Sequence, residues 1–173
     1  MQALEFRKAV TADRSGLLES FLGMLDSLGV HFCVIGGQGV NAYADPVVSL
    51  DLDIVVAVAD YSRLRDAFPS SLRVREFPHR LDISGPSSRL QIQIQTDGRY
   101  SSFVDRAEVH DVLDLRLPVA AIEDLLQGKV WAATDPERRA SKRQKDLADI
   151  ARLLEVRPEL RDRVPATILE KLL

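Results

Sequence analysis

Apolar residues at Leu17, Leu18, Phe21, Leu22, Leu25 and Leu28 recur at the three-and-four spacing of a helix with one buried stripe. A first helix from about Asp13 to Leu28 is predicted, with Gly29 where a left-handed C-cap would end it. Val30 to Ile35 is short, apolar and β-branched, and is bounded by Gly29 and by Gly36-Gly37, so it predicts a buried strand that delivers a glycine turn. Gln38 to Ala44 reads as a short helix. From Leu50 to Val58 the chain alternates before becoming wholly apolar, placing Leu50, Leu52 and Ile54 on one face of a strand and Asp51 and Asp53 on the other.

A short helix is expected near Tyr61 to Phe68, followed by extended pieces at Leu72–Phe77, Leu81–Ile83 and Leu90–Thr96, the last with strict Gln-Ile-Gln-Ile-Gln alternation. Gly85-Pro86-Ser87-Ser88 marks a turn between two of them. Beyond this point the pattern reads as helical. Ile122, Leu125, Leu126 and Val130 mark one helix, Asp135-Pro136 interrupts, and Leu147, Ile150, Ala151 and Leu154 mark another, while Pro158 and Pro165 divide the tail. With no repeat and no linker, residues 1–173 read as one α+β unit. It has a sheet-rich core at about 30–100 and a helical C-terminal portion at about 120–173.

Composition narrows the classes. With 173 residues, 46% hydrophobic and 28% charged, the chain suits one globular domain that needs neither disulfide nor structural metal. A formal net charge of −3 excludes a wholly basic nucleic-acid binder and leaves only local basic patches. The lone Cys33 lies in an apolar run and forms no internal disulfide, and His31, His79 and His110 share no metal-ligand spacing. Neither a signal-peptide core nor an apolar run of membrane-spanning length is present, so the expected setting is cytoplasmic with no membrane partner. His79 and Trp131 read as structural, in a turn and on an apolar helix face.

Two features carry chemistry. Gly36-Gly37 after a buried strand lets a phosphate approach backbone N–H groups, although a tight strand-to-helix turn would want the same residues. Asp51 and Asp53 lie roughly 7 Å apart at the backbone on one strand face. That is close enough for both to bind one hard cation, magnesium being the natural candidate, whereas a solvated strand face would read the same way.

The combination is more specific. Val34-Ile-Gly-Gly37, thirteen residues, then Asp51-Leu-Asp53-Ile54 resembles the signature of the nucleotidyltransferase superfamily. The fuller runs Gly36–Ala44 and Pro46–Asp53 look most like its minimal AbiEii-type branch of toxin–antitoxin toxins. Glu123–Ala132, containing Lys129, and Arg143–Leu153, containing Asp146, resemble the later motifs of that branch.

The resemblance implies a mixed sheet flanked by helices, and a magnesium-dependent (or manganese-dependent) transfer of a nucleoside monophosphate from an NTP to a hydroxyl on an RNA end or small molecule. It also implies an antitoxin as protein partner. The implied catalytic residues are Asp51, Asp53, Lys129 and Asp146: the acid pair holds metal, Lys129 contacts phosphate, and Asp146 orients that lysine or helps activate the acceptor. Gly36, Gly37, Ser49 and Gln93 join Lys129 as nucleotide-binding candidates. From the residues alone, Lys129 could be a surface lysine and Asp146 could pair with Lys142 one helical turn earlier.

Two departures stand out. Val47 and Ser49 occupy positions where relatives often carry Arg and Thr. Gln93 occupies the strand position at which many superfamily enzymes place a third carboxylate, leaving Asp97 or Asp146 as base. They motivate an alternative, a noncatalytic nucleotide-binding or protein-interaction module on the same fold. The basic cluster Arg138, Arg139, Lys142, Arg143 and Lys145 could meet an acceptor, with Arg139, Lys142 and Arg143 as its candidates, or could be a solvated helix start.

Overall fold

The computed structural model describes residues 16–172. Helix α1 (Leu17–Ser27) buries Leu17, Leu18, Phe21 and Leu25, the expected stripe; the predicted start at 13–15 lies outside the described residues. Gly29 takes φ 60°, in the left-handed region, and the Val30 N–H turns back onto the Leu25 carbonyl, so the helix ends as predicted. Strand β1 (Phe32–Ile35) runs into α2 (Gly36–Asn41), and a loop leads to β2 (Asp51–Val56). After α3 (Tyr61–Asp66) come β3 (Arg73–Phe77), β4 (Arg80–Ser84) and β5 (Gln91–Gln95), with His79 in the β3–β4 turn.

One expectation fails here. The chain does not simply turn helical after β5: a 3₁₀ stretch (Gly98–Arg106) leads into a further hairpin, β6 (Glu108–Val112) and β7 (Leu115–Val119). Its turn holds Leu113 and Asp114 at φ 50° and 62°, a conformation usually advertised by Asn-Gly rather than Leu-Asp. Pro118 sits inside β7, and β6 is an edge strand with one buried residue, so neither shows clean alternation.

The seven strands form one mixed sheet in the order β3-β4-β5-β2-β1-β7-β6. β2 pairs in parallel with β5 and antiparallel with β1, and the outer hairpins are antiparallel. The period of two divides the left half of this sheet cleanly. Leu52, Ile54, Leu81, Ile83, Ile92 and Ile94 are buried in the core, and the residues between them face the other way.

Helices α4 (Ile122–Thr134) and α5 (Ala140–Val156) pack on each other, separated at Asp135-Pro136 as predicted. α2 lies against α4 so closely that a Cβ on Gly39 would stand 2.7 Å from the Leu125 side chain. The tail forms a 3₁₀ turn (Pro158–Arg163) and α6 (Ala166–Leu169). Trp131 stacks on Phe103 with its ring edge-on to Tyr100, consistent with packing. No helix among the described residues is long and apolar enough to cross a membrane.

Candidate active site

A cleft of about 780 Å³ opens over the β5–β2–β1 region, lined by the glycine turn, the acid pair, β3–β5 and the facing sides of α4 and α5. Gly36 starts α2 at φ 64°, and a Cβ there would lie 2.0 Å from Asp53 Oδ2. Both conformation and space therefore demand glycine: the turn backbone lies directly on the Asp53 carboxylate. Gly37 similarly abuts Ser49, whose Oγ would be 3.1 Å from an added Cβ. Gln38 donates from Nε2 to the Ser49 carbonyl (2.8 Å), fixing the chain two residues before Asp51.

Asp51 and Asp53 both line the cleft from β2. Their environments differ. Burial pushes the Asp53 carboxyl up to about 6; Lys129 pulls against this and Asp51 adds to it. Asp51 is more open, with Lys142 Nζ 4.0 Å from its Oδ2. Among the described residues no group of three His, Cys, Asp or Glu side chains forms a metal cage. Two carboxylates on one side of an open cleft match a hard cation that completes its shell with phosphate oxygens and water.

Lys129 is no surface lysine. Its ammonium is largely buried and sits 2.7 Å from Asp149 and 3.2 Å from Asp146. Burial acts to lower its pKa, but Asp149 and Asp146 outweigh that and hold it above the ordinary lysine range. Asp146 is 1% exposed and also receives Arg138 Nε at 2.7 Å. The alternative Lys142–Asp146 pairing is not formed: Asp146 faces inward to Lys129 and Arg138, while Lys142 reaches toward Asp51. Asp149 bonds Arg152, and Arg152 in turn donates to Asn41 Oδ1 and the Asp45 carbonyl, tying α5 to the loop before β2.

Gln93 lines the cleft beside Asp53 in the parallel β2–β5 register, and across the next pairing its neighbour is Asp82. Asp82 is buried and contacts both Arg80 and Arg75. Asp97 is not among the lining residues and is bound by Arg99, whose hydrogen bonds hold its carboxyl below the usual range.

The basic cluster divides. Arg138, Arg139, Lys142 and Lys145 line the cleft, whereas Arg143 turns away to the Asp135 carbonyl. Sequence reasoning placed Arg138 only in the basic cluster, not beside Asp146, and did not single out Asp149, Arg152 or Asp82. For Asp149 and Arg152 the successive steps of three from Asp146 along one helix were a usable signal, but Asp82 depends on strand register.

A glycine turn laid against an Asp-x-Asp strand, in a mixed sheet crossed by a lysine-bearing helix, defines a nucleotidyltransferase fold. Solved structures share it. An antigenic nucleotidyltransferase-like protein from Paracoccidioides brasiliensis is similar with TM-score 0.57 and 19% identity, over 94% of this chain and 88% of that one. The antibiotic-resistance factor ANT(2'')-Ia gives TM-score 0.55 and 12% identity, over 90% and 94%. The lincosamide antibiotic adenylyltransferase LnuA, solved with lincomycin bound, gives TM-score 0.52 and 13% identity, over 80% and 97%.

The family model for the nucleotidyl transferase AbiEii toxin of type IV toxin–antitoxin systems matches residues 31–173, and the chain belongs to that family. It is accordingly a transferase of phosphorus-containing groups. No curated protein matches it significantly.

Proposed function

We propose that the cleft binds an NTP with a divalent cation, magnesium in the first instance and manganese as a substitute, and transfers its nucleoside monophosphate to a hydroxyl acceptor. The acceptor oxygen forms a bond to the α-phosphorus, the bond to the bridging oxygen breaks, and pyrophosphate leaves. The observation that carries this reading is the contact of the Gly36 backbone with the Asp53 carboxylate, which sets the glycine turn directly against a two-carboxylate cation site in the cleft.

Asp51 and Asp53 would hold the cation, which when bound neutralises phosphate charge and orients the triphosphate. Gly36, Gly37 and Ser49 would border the phosphates, Gln93 would offer its amide to the ribose or base, and Lys129 would meet a phosphate from the helical side. Asp146, saturated by Lys129 and Arg138, positions that lysine and is not a free base. Asp97, bound by Arg99 and outside the cleft lining, is not placed to act as the base either. The family supports a toxin role with an antitoxin as protein partner.

Calorimetric titration of NTP with and without magnesium tests the site, using wild type and an Asp51→Asn, Asp53→Asn double variant. Magnesium-dependent binding that the variant loses is expected, and binding unchanged by the variant overturns the assignment. A labelled-NTP assay then separates the transferase from the noncatalytic module that Gln93 favours. The module would bind nucleotide yet move no label in magnesium or manganese.

A further inference from the structure

The register of β2–β5 lays out a second surface beside the acid pair. Across the sheet, Asp53 neighbours Gln93, Gln93 neighbours Asp82, and Asp82 neighbours Arg75; one row along, Gln95 neighbours Arg80 and Arg80 neighbours Phe77. All of these residues line the same cleft. The floor therefore grades from two carboxylates, through a glutamine ladder, to two arginines and an aromatic ring at the sheet edge.

Asp82 organises that edge. Its side chain is only 7% exposed, with Arg80 Nε 2.6 Å from Oδ1 and Arg75 Nη2 3.8 Å from Oδ2. The short contact to Arg80 is off the hydrogen-bonding direction, leaving Arg80 Nε and Asp82 Oδ1 buried without an aligned partner. One carboxylate between two guanidinium groups leaves an excess positive charge facing the cleft. Both arginines are about half exposed, so their remaining donors are open to a ligand. The Arg80 guanidinium carbon lies 4.6 Å from the centre of the Phe77 ring, and that ring is 41% exposed. An exposed phenylalanine next to arginines held in place from below is a stacking surface with an anion site attached.

We propose that this polar face of β3–β5 is the acceptor subsite and that it takes a nucleotide unit. The acceptor's phosphate would rest on Arg75 and Arg80, its base against Phe77 and Gln95, and its hydroxyl would point toward Asp51 and Asp53. The proposal rests on the transfer reading above and adds which wall receives the acceptor and what chemistry it selects. A polycationic aminoglycoside would meet two arginines on this wall and is rejected by charge. Asp82 acts as a positioning residue, because it reaches the acceptor only through the arginines.

The test measures binding and transfer separately. Three probes are used with wild type and with the Arg75→Ala, Arg80→Ala double variant: a short single-stranded oligoribonucleotide with a free 3′ hydroxyl, a ribonucleoside 5′-monophosphate, and tobramycin. Fluorescence anisotropy of the labelled oligoribonucleotide, with the other two as competitors, reads binding without catalysis. Wild type is expected to bind the nucleotide-bearing probes and not tobramycin, with affinity reduced about tenfold per arginine removed and NTP binding unchanged by calorimetry. A strand-end acceptor shows as poor competition by the monophosphate, and a free-nucleotide acceptor as full competition.

Asp82→Asn should weaken the oligoribonucleotide less than the double variant, and Asp82→Glu should restore part of the loss. Equal oligoribonucleotide affinity in wild type and double variant, or tobramycin binding at this wall, overturns the subsite. Loss of NTP binding in wild type would instead bring down the transfer reading.

Discussion

The two walls of the cleft are built on opposite plans. On the helical side, Lys129, Asp146, Asp149, Arg138 and Arg152 answer one another within a largely buried network, so nearly every charge has a partner before any ligand arrives. On the sheet side, Arg75, Arg80 and Phe77 remain substantially exposed, with only Asp82 and the Arg80–Phe77 contact to hold them. Buried charge networks are costly to break and hold their geometry, whereas exposed charges contribute little to stability and are available to partners. The helical wall is thus the fixed part of the machine and the sheet edge the part that can be altered without unfolding it.

Substitutions should separate the two plans. The largest effect is expected from Asp53→Asn, which should abolish label transfer while leaving the metal-free protein no less stable at neutral pH. The sign follows from the carboxyl held up near 6 by burial. A raised acid contributes stability that is present below the ordinary carboxylate range and lost as pH rises through about 6. Replacing it should therefore raise the melting temperature at pH 7.5, with the gain shrinking toward pH 4. A lower melting temperature for the variant at pH 7.5 would contradict this account.

Lys129→Ala comes next, because it strips a cation from two buried carboxylates. A loss of about 3 kcal/mol in urea unfolding is expected, at the lower end for a broken buried pair since Arg138 and Arg152 remain.

Gly36→Ala forces a left-handed residue and a clash with Asp53 together, at about 1–3 kcal/mol by denaturant midpoint. The smallest effect belongs to Arg75→Ala, within about 0.5 kcal/mol of wild type. A loss as large as that of Lys129→Ala would erase the contrast between the walls.

The glycine turn and the acid strand between the two walls were legible from the residues alone, and the walls themselves much less so. Ile35-Gly-Gly37 and Asp51-x-Asp53 announce themselves because both the glycine turn and the strand alternation are local. Lys129 and Asp146 could be named as a pair only by resemblance. The local rule of charges four apart pointed to Lys142 instead, and the interior position of α5 decided otherwise. The hairpin β6–β7 escaped because Pro118 and a Leu113-Asp114 turn both speak against a strand pair. Asp82 escaped for a different reason: it meets Gln93 only through a pairing that no spacing encodes.

Arg152 carries a further consequence, for how the molecule comes to be assembled. Its guanidinium bridges from Asp149 in α5 to Asn41 and the Asp45 carbonyl, more than a hundred positions back along the chain. Asn41 in turn brackets Val47, accepting its N–H and donating to its carbonyl. Contacts so distant in sequence form late, once the intervening chain has collapsed around them. The loop that presents Asp51 therefore has local ties of its own, from Gln38 and Asn41, and gains its tie to the helical wall only when α5 has been synthesised and docked. A nascent chain lacking residue 152 holds the glycine turn against the acid strand through β1–β2 pairing, but without the clasp that fixes both to α5.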